Sequence, residues 1–112
     1  MYGEFFILQN GDMSESSLVS DTIDLVGITT FKIITYWQDG TAPLGVLSLE
    51  ATTNNGVTYD TLLESEQSIS DDDGFHIWHF PYNPITQIRA RYLRTSGTGT
   101  MTIFIQVGGP DL

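Results

Sequence analysis

A chain of 112 residues and 12.4 kDa holds one domain and leaves no room for a second. It contains no cysteine, which excludes disulfide frameworks and thiolate metal sites. Fourteen acidic residues against four basic ones give a formal charge of −10, which repels phosphate backbones and anionic lipid and argues against nucleic-acid or membrane-surface partners. The four basic residues are Lys32, Arg89, Arg91 and Arg94, so three of them fall within six positions.

In chain order the pattern has the period of strands, with short punctuation. The opening residues lack a basic n-region, and the apolar run FFIL is short and preceded by Glu4, so no signal peptide is expected and the product is expected to be made in the cytoplasm. EFFILQN (4–10) reads as a first strand with apolar side chains on both faces. A polar stretch, GDMSESSLVSD, follows, then strands over 22–28 and 30–39, where Phe31, Ile33, Thr35 and Trp37 share one face. GTAPLG (40–45) has the composition of a turn, because Pro43 cannot donate to a central ladder. GVLSLEAT (45–52) directs Leu47, Leu49 and Ala51 inward and leaves Ser48, Glu50 and Thr52 to water.

Asn54-Asn55-Gly56 then marks a hairpin, since Asn and Gly accept the positive φ angles of tight turns. A strand over 57–64 returns, and SEQSISDDDG (65–74) reads as an acidic loop. FHIWHF (75–80) is an aromatic strand, and 86–95 is another, with Ile88, Ala90 and Tyr92 on one face. SGTG (96–99) reads as a last turn before 99–107, where Met101, Ile103, Ile105 and Val107 align. About eight antiparallel strands with short connections predict a single-domain all-β sandwich over residues 1–112, of jelly-roll or immunoglobulin-like type. Leu47, Leu49, Ile88, Ala90, Ile103 and Ile105 are its expected core.

Chemistry-bearing constellations are sparse. His76 and His79 are spaced i, i+3, which on a strand sends them to opposite faces, whereas a strand metal site wants i, i+2. Asp71-Asp72-Asp73 clusters carboxylates on a loop but lacks the alternating spacing and distal Glu of a calcium loop. Asp39, Glu50, Asp60 and Glu64 supply carboxylates that any acidic β domain would offer, and no nucleophile elbow or phosphate loop is present. The expectation is therefore no enzyme, no metal and no cofactor. Trp78 and Tyr82 are the candidates for a weak sugar-stacking platform, Trp37 being assigned to the core. Tyr2, Phe5 and Phe6 in the first strand, and Arg89 and Arg91 opposite Ile88 and Ala90, are the candidate interface residues.

Two stretches together resemble a known pattern. GVLSLEATTNNGVTYDTL (45–62) is similar to an alternating strand entering an Asn/Asp-Gly turn followed by an aromatic residue, here Tyr59 where the pattern usually has Trp. RARYLRTSGTGTMTIFIQV (89–107) resembles the matching closing hairpin, an Arg-x-x-Tyr strand with a Ser-Gly-Thr-Gly turn. Such pairs occur in small β-sandwich proteins of bacterial virus particles, including capsid decoration proteins, head fibres and spike or tail accessory domains. The resemblance covers about half of the chain and implies a structural virion protein with no catalytic residues to carry over. It implies contacts with capsid or tail proteins and with copies of itself, a trimer first and a dimer second. The alternative is a carbohydrate- or host-receptor-binding module with an exposed Trp or Tyr platform.

Overall fold

The computed structural model describes residues 2–52, 54, 56–62, 64–81 and 86–108. Among these there is no helix, and the strands are β1 (Tyr2–Asp12), β2 (Ser17–Val19), β3 (Ile23–Asp24), β4 (Thr30–Thr52), β5 (Asp60–Thr61), β6 (Gln67–Ile69), β7 (Gly74–Phe80) and β8 (Gln87–Gly108). All ladders are antiparallel.

The architecture rests on β4 and β8, which pair with each other along nearly their whole length, from Thr30↔Gly108 to Thr52↔Gln87. A straight strand of 23 residues would reach about 76 Å, yet the longest dimension of the molecule is 42 Å. The pair must therefore fold over, and its register slips show where: between Gln38, Thr41, Leu44 and Gly45 on one strand and Thr100, Thr98, Ser96 and Arg94 on the other. Each long strand thus serves two layers. The first layer runs β7, β4 (residues 30–38), β8 (residues 100–108), β1. The second has β4 (residues 45–52) and β8 (residues 87–94) at its centre, flanked by β5 and β6 on one side and β2 and β3 on the other.

Packing between the layers follows from alternation. Phe31, Ile33, Trp37, Met101, Ile103 and Ile105 of the first layer meet Leu47, Leu49, Ile88, Ala90 and Tyr92 of the second in one buried cluster, which contains all six expected core residues. The all-β antiparallel sandwich read from the sequence is the observed fold.

Six local expectations are corrected. The turns expected at 40–45 and 96–99 are bends inside continuous strands, where Asp39 and Ala42 adopt φ of 56° and 47° and Gly97 adopts 84°. Pro43 falls between the paired residues Thr41 and Leu44, inside the slip. The strand expected over 22–28 is paired only at Ile23–Asp24, while the acidic loop and the polar stretch supply the short edge strands β6 and β2. The Asn-Gly hairpin is a wide loop and not a two-residue turn, since Ala51 pairs with Asp60; Asn55 lies outside the described residues. Side chains clasp the loop: the Thr52 hydroxyl accepts from the backbone N–H of Asn54 and Gly56, and the Asn54 side-chain Oδ1 accepts from the N–H of Thr58.

Candidate functional site

The outward face of the first layer is where this fold departs from a half-solvated sheet. In the first layer the inward positions of β4 (residues 30–38) and β8 (residues 100–108) are odd-numbered, so the even-numbered residues of these segments face away from the core, joined by Phe75, Ile77 and His79 of β7 and Glu4 and Phe6 of β1. Register sorts them into rows across the sheet. One row reads Glu4, Gln106, Lys32, His79; the next Phe6, Phe104, Ile34, Ile77; the third Thr102, Tyr36, Phe75. An outward sheet face in contact with water normally alternates to polar residues, yet here Phe75 is 71% exposed, Phe6 51% and Ile77 46%. The rings sit together, with Phe6 and Phe104 centroids 5.8 Å apart and Tyr36 and Phe104 6.5 Å apart. This is a contiguous apolar surface with a polar row along one margin.

Phe5 and Phe6 are both exposed. Phe6 joins the apolar face, while Phe5, opposite the inward-facing Ile105, lies on the other side of edge strand β1. The backbone of Tyr2 pairs with Gly108.

Arg89 and Arg91 are on the opposite side of the sandwich, on the outward face of the second layer, so the structure does not bring them together with Phe6. There Arg89 Nε lies 2.9 Å from Glu50 Oε1 and Arg91 Nη1 3.5 Å from Glu50 Oε2. The Arg89 guanidinium stacks 3.5 Å over the Tyr59 ring, and the Tyr59 hydroxyl is 2.8 Å from Thr22 Oγ1. Glu50, expected to face water, is only 6% exposed because these side chains cover it. The cluster fastens the 52–59 loop onto the sheet by cation–π and ionic contacts.

Trp78 offers no platform. It is 8% exposed within the core, and its indole N–H donates to the Ser65 carbonyl at 3.0 Å, which meets the demand of a buried indole. Its proposed companion Tyr82 lies outside the described residues. His76 and His79 do point to opposite faces: His76 packs edge-on to Trp78 at 4.8 Å, and burial lowers its pKa below the ordinary value, whereas His79 is exposed on the apolar face's polar row. Asp71 and Asp72 hold the β4 bend. The Asp71 carbonyl accepts from the Trp37 indole at 2.9 Å, and an Asp72 carboxylate oxygen accepts from the Ala42 N–H at 3.0 Å. Among the described residues, no group of three or more His, Asp or Glu side chains is gathered for a metal.

Ile34, Tyr36, Phe75, Ile77 and Phe104 were not singled out by their pattern, because each strand's other face already accounted for a core. The signal was available: FHIWHF and TFKIITYW carry apolar residues on both faces, which a sheet covered on one side does not require.

A bent-strand sandwich with one open aromatic sheet face defines the class of protein by its architecture. No family model and no curated protein matches the chain. Among solved structures, it resembles PBSX exported protein XepA with a TM-score of 0.70 at 16% identity, covering 98% of this chain and 38% of that one. It resembles the SPBc2 prophage-derived protein YomS with a TM-score of 0.60 at 14% identity, covering 96% of this chain and 92% of that one. A structure described as "CBM4 structure and function" matches with a TM-score of 0.52 at 12% identity, over 96% of this chain and 71% of that one. At these identities the likeness establishes the fold. The chain spans well under half of XepA and nearly the whole of YomS. The expected likeness to phage β-sandwich proteins holds at the level of fold, with the prophage-derived YomS.

Proposed function

We propose that this chain is a non-enzymatic structural protein of a bacterial virus particle, a capsid decoration, head-fibre or spike component that works through protein–protein contacts. The observation that carries the reading is the open apolar face of the first layer, a surface of the kind soluble proteins keep for a partner. Its support is the fold shared with the prophage-derived YomS over nearly the full length of both chains. Capsid or tail proteins and further copies of the chain are its partners in this reading, and the virion is its location. The charge of −10 keeps such a product soluble until it docks and disfavours nucleic acid as a ligand.

The test is quantitative mass spectrometry of gradient-purified particles. The chain is expected in fixed stoichiometry with the major capsid protein. Presence in the lysate but absence from the particles would defeat the proposal.

A carbohydrate- or receptor-binding module is the second reading, and exposed Phe6, Tyr36 and Phe75, with the likeness to a CBM4 structure, are what favour it. Against it, Ile34 and Ile77 interrupt the rings, so the face offers few sugar hydrogen bonds, and both tryptophans are buried. Saturable binding on a glycan array, lost in Tyr36→Ala, would favour this alternative.

A further inference from the structure

We infer that the open face of the first layer pairs with the same face of a second copy, about a two-fold axis running along the strands between β4 and β8. The inference rests on reading that face as a protein–protein contact and names its partner. Three observations lead to it: area, charge and complementarity of the rows.

Taking about 200 Å² for an aromatic side chain, the exposed parts of Phe6, Tyr36, Phe75 and Ile77, with the half-buried Ile34 and Phe104, leave roughly 400–500 Å² of apolar surface open. That lies in the middle of the range of the largest patch on a monomer, about 300–600 Å², a patch that often serves a function. With its polar row the face approaches the roughly 800 Å² per partner of a standard interface.

Carboxylates are kept off this surface. The chain has fourteen acidic residues, but the three rows contain only Glu4, balanced by Lys32. Acidic residues resume at Asp12 and Asp73, near Thr100 and Gly74, and bound the contact. In a chain of −10, this locally neutral face is one on which two copies can approach.

The first two rows are complementary to their own reversal. Rotation about that axis lays β1 over the second copy's β7 and β8 over its β4. Phe6 then covers the second copy's Ile77, and Phe104 its Ile34, so rings meet branched aliphatics. Tyr36 lies over the strand position of Thr102, whose own side chain is buried with its hydroxyl accepting from the Asn10 N–H, while Glu4 faces the His79 imidazole and Lys32 faces the Gln106 amide. A single patch that complements itself closes as an isologous pair, whereas a trimer needs two different patches on each subunit. Two sheets stacked in this way lie about 10 Å apart, as within a sandwich.

Sedimentation velocity over about 10 µM to about 1 mM tests the pairing. A dimer dissociating in the micromolar range is expected, tightening as salt rises, because apolar contact is opposed by repulsion between two acidic chains. Ile77→Glu changes an exposed side chain, so far-UV circular dichroism should be unaltered while the dimer weakens at least ~100-fold. Glu4→Lys and His79→Glu should each weaken it, and the double variant should restore it, which only the stated axis requires. A monomer throughout the range, a trimer, a dimer indifferent to Ile77→Glu, or a double variant no better than its parents overturns the inference. A chain found in particles yet monomeric in solution retires the self-pairing and leaves the virion role standing.

Discussion

Glu50 occupies a strand position whose side chain points away from the core, and strand alternation alone gives it to water. It is buried because residues distant in sequence converge on it: Arg89 and Arg91 from β8, with Tyr59 stacked on Arg89 from the loop after β4. Alternation sees faces but not what lies on them, so this cluster was legible only as two arginines in need of carboxylates. Removing the carboxylate leaves two guanidiniums side by side over a partly dry surface. Breaking a fully buried pair costs about 3–5 kcal/mol, and the arginines here are partly exposed, so Glu50→Ala should lower unfolding free energy by about 1–3 kcal/mol, read by urea titration. His76 makes a pH prediction. Burial against Trp78 lowers its pKa below 6.5, so the unfolded chain takes up the proton first as pH falls. Stability from the neutral ring is complete above that unfolded value and is lost as pH drops through it towards the folded one. Between pH 7.5 and 5, His76→Gln should therefore lose less stability than the parent, by urea titration at each pH; equal losses would show that the imidazole is not held neutral.

At the scale of elements, the ladder residues were legible and the connections were not. Leu47, Leu49, Ile88, Ala90, Ile103 and Ile105 could be assigned to the core from period-two alternation, which depends only on local backbone geometry. GTAPLG and SGTG carry turn residues, yet the chain continues through both, because two strands that bend together keep pairing: Thr41 opposite Thr98 and Leu44 opposite Ser96. Turn composition reports a change of direction. Whether it reverses a strand or folds a strand pair over depends on the partner segment some fifty residues away. The apolar outward face was hidden for a related reason, since a second apolar face has no explanation until the first is known to be satisfied. The bend itself is testable at Gly97. Its φ of 84° suits glycine, and a Cβ would stand 2.2 Å from the Ala42 carbonyl oxygen and 2.5 Å from its carbon, both backbone atoms of the facing bend. Gly97→Ala should destabilise by about 2–4 kcal/mol, since both left-handed strain and a backbone clash oppose it, whereas Gly27→Ala, with the same sign of φ but open space around it, should cost about 1 kcal/mol. Similar costs for the two would mean that the paired bends yield.

For the molecule as a whole, charge and shape act against each other. Fourteen acidic side chains sit on a body 42 × 28 × 21 Å, so most carboxylates lie within a few Debye lengths of one another at ordinary salt, and the compact state carries more of that repulsion than the unfolded chain. The favourable ionic contacts are concentrated elsewhere: among the described residues, the salt bridges are those of Glu50 with Arg89 and Arg91, partly shielded from solvent. Added salt should therefore screen many repulsions while weakening few attractions. Raising sodium chloride from about 20 mM to about 500 mM should increase the melting temperature by about 5 °C, the effect of roughly 1 kcal/mol in a domain of this size. Self-pairing would also raise it with salt, so the measurement belongs in the Ile77→Glu background at low protein concentration, where pairing does not contribute. Sodium chloride and an uncharged osmolyte at equal osmolality separate screening from general exclusion of solute. A melting temperature unmoved by salt in that variant would mean that the acidic residues are spaced widely enough to be screened already, and that the excess charge imposes no strain on the fold.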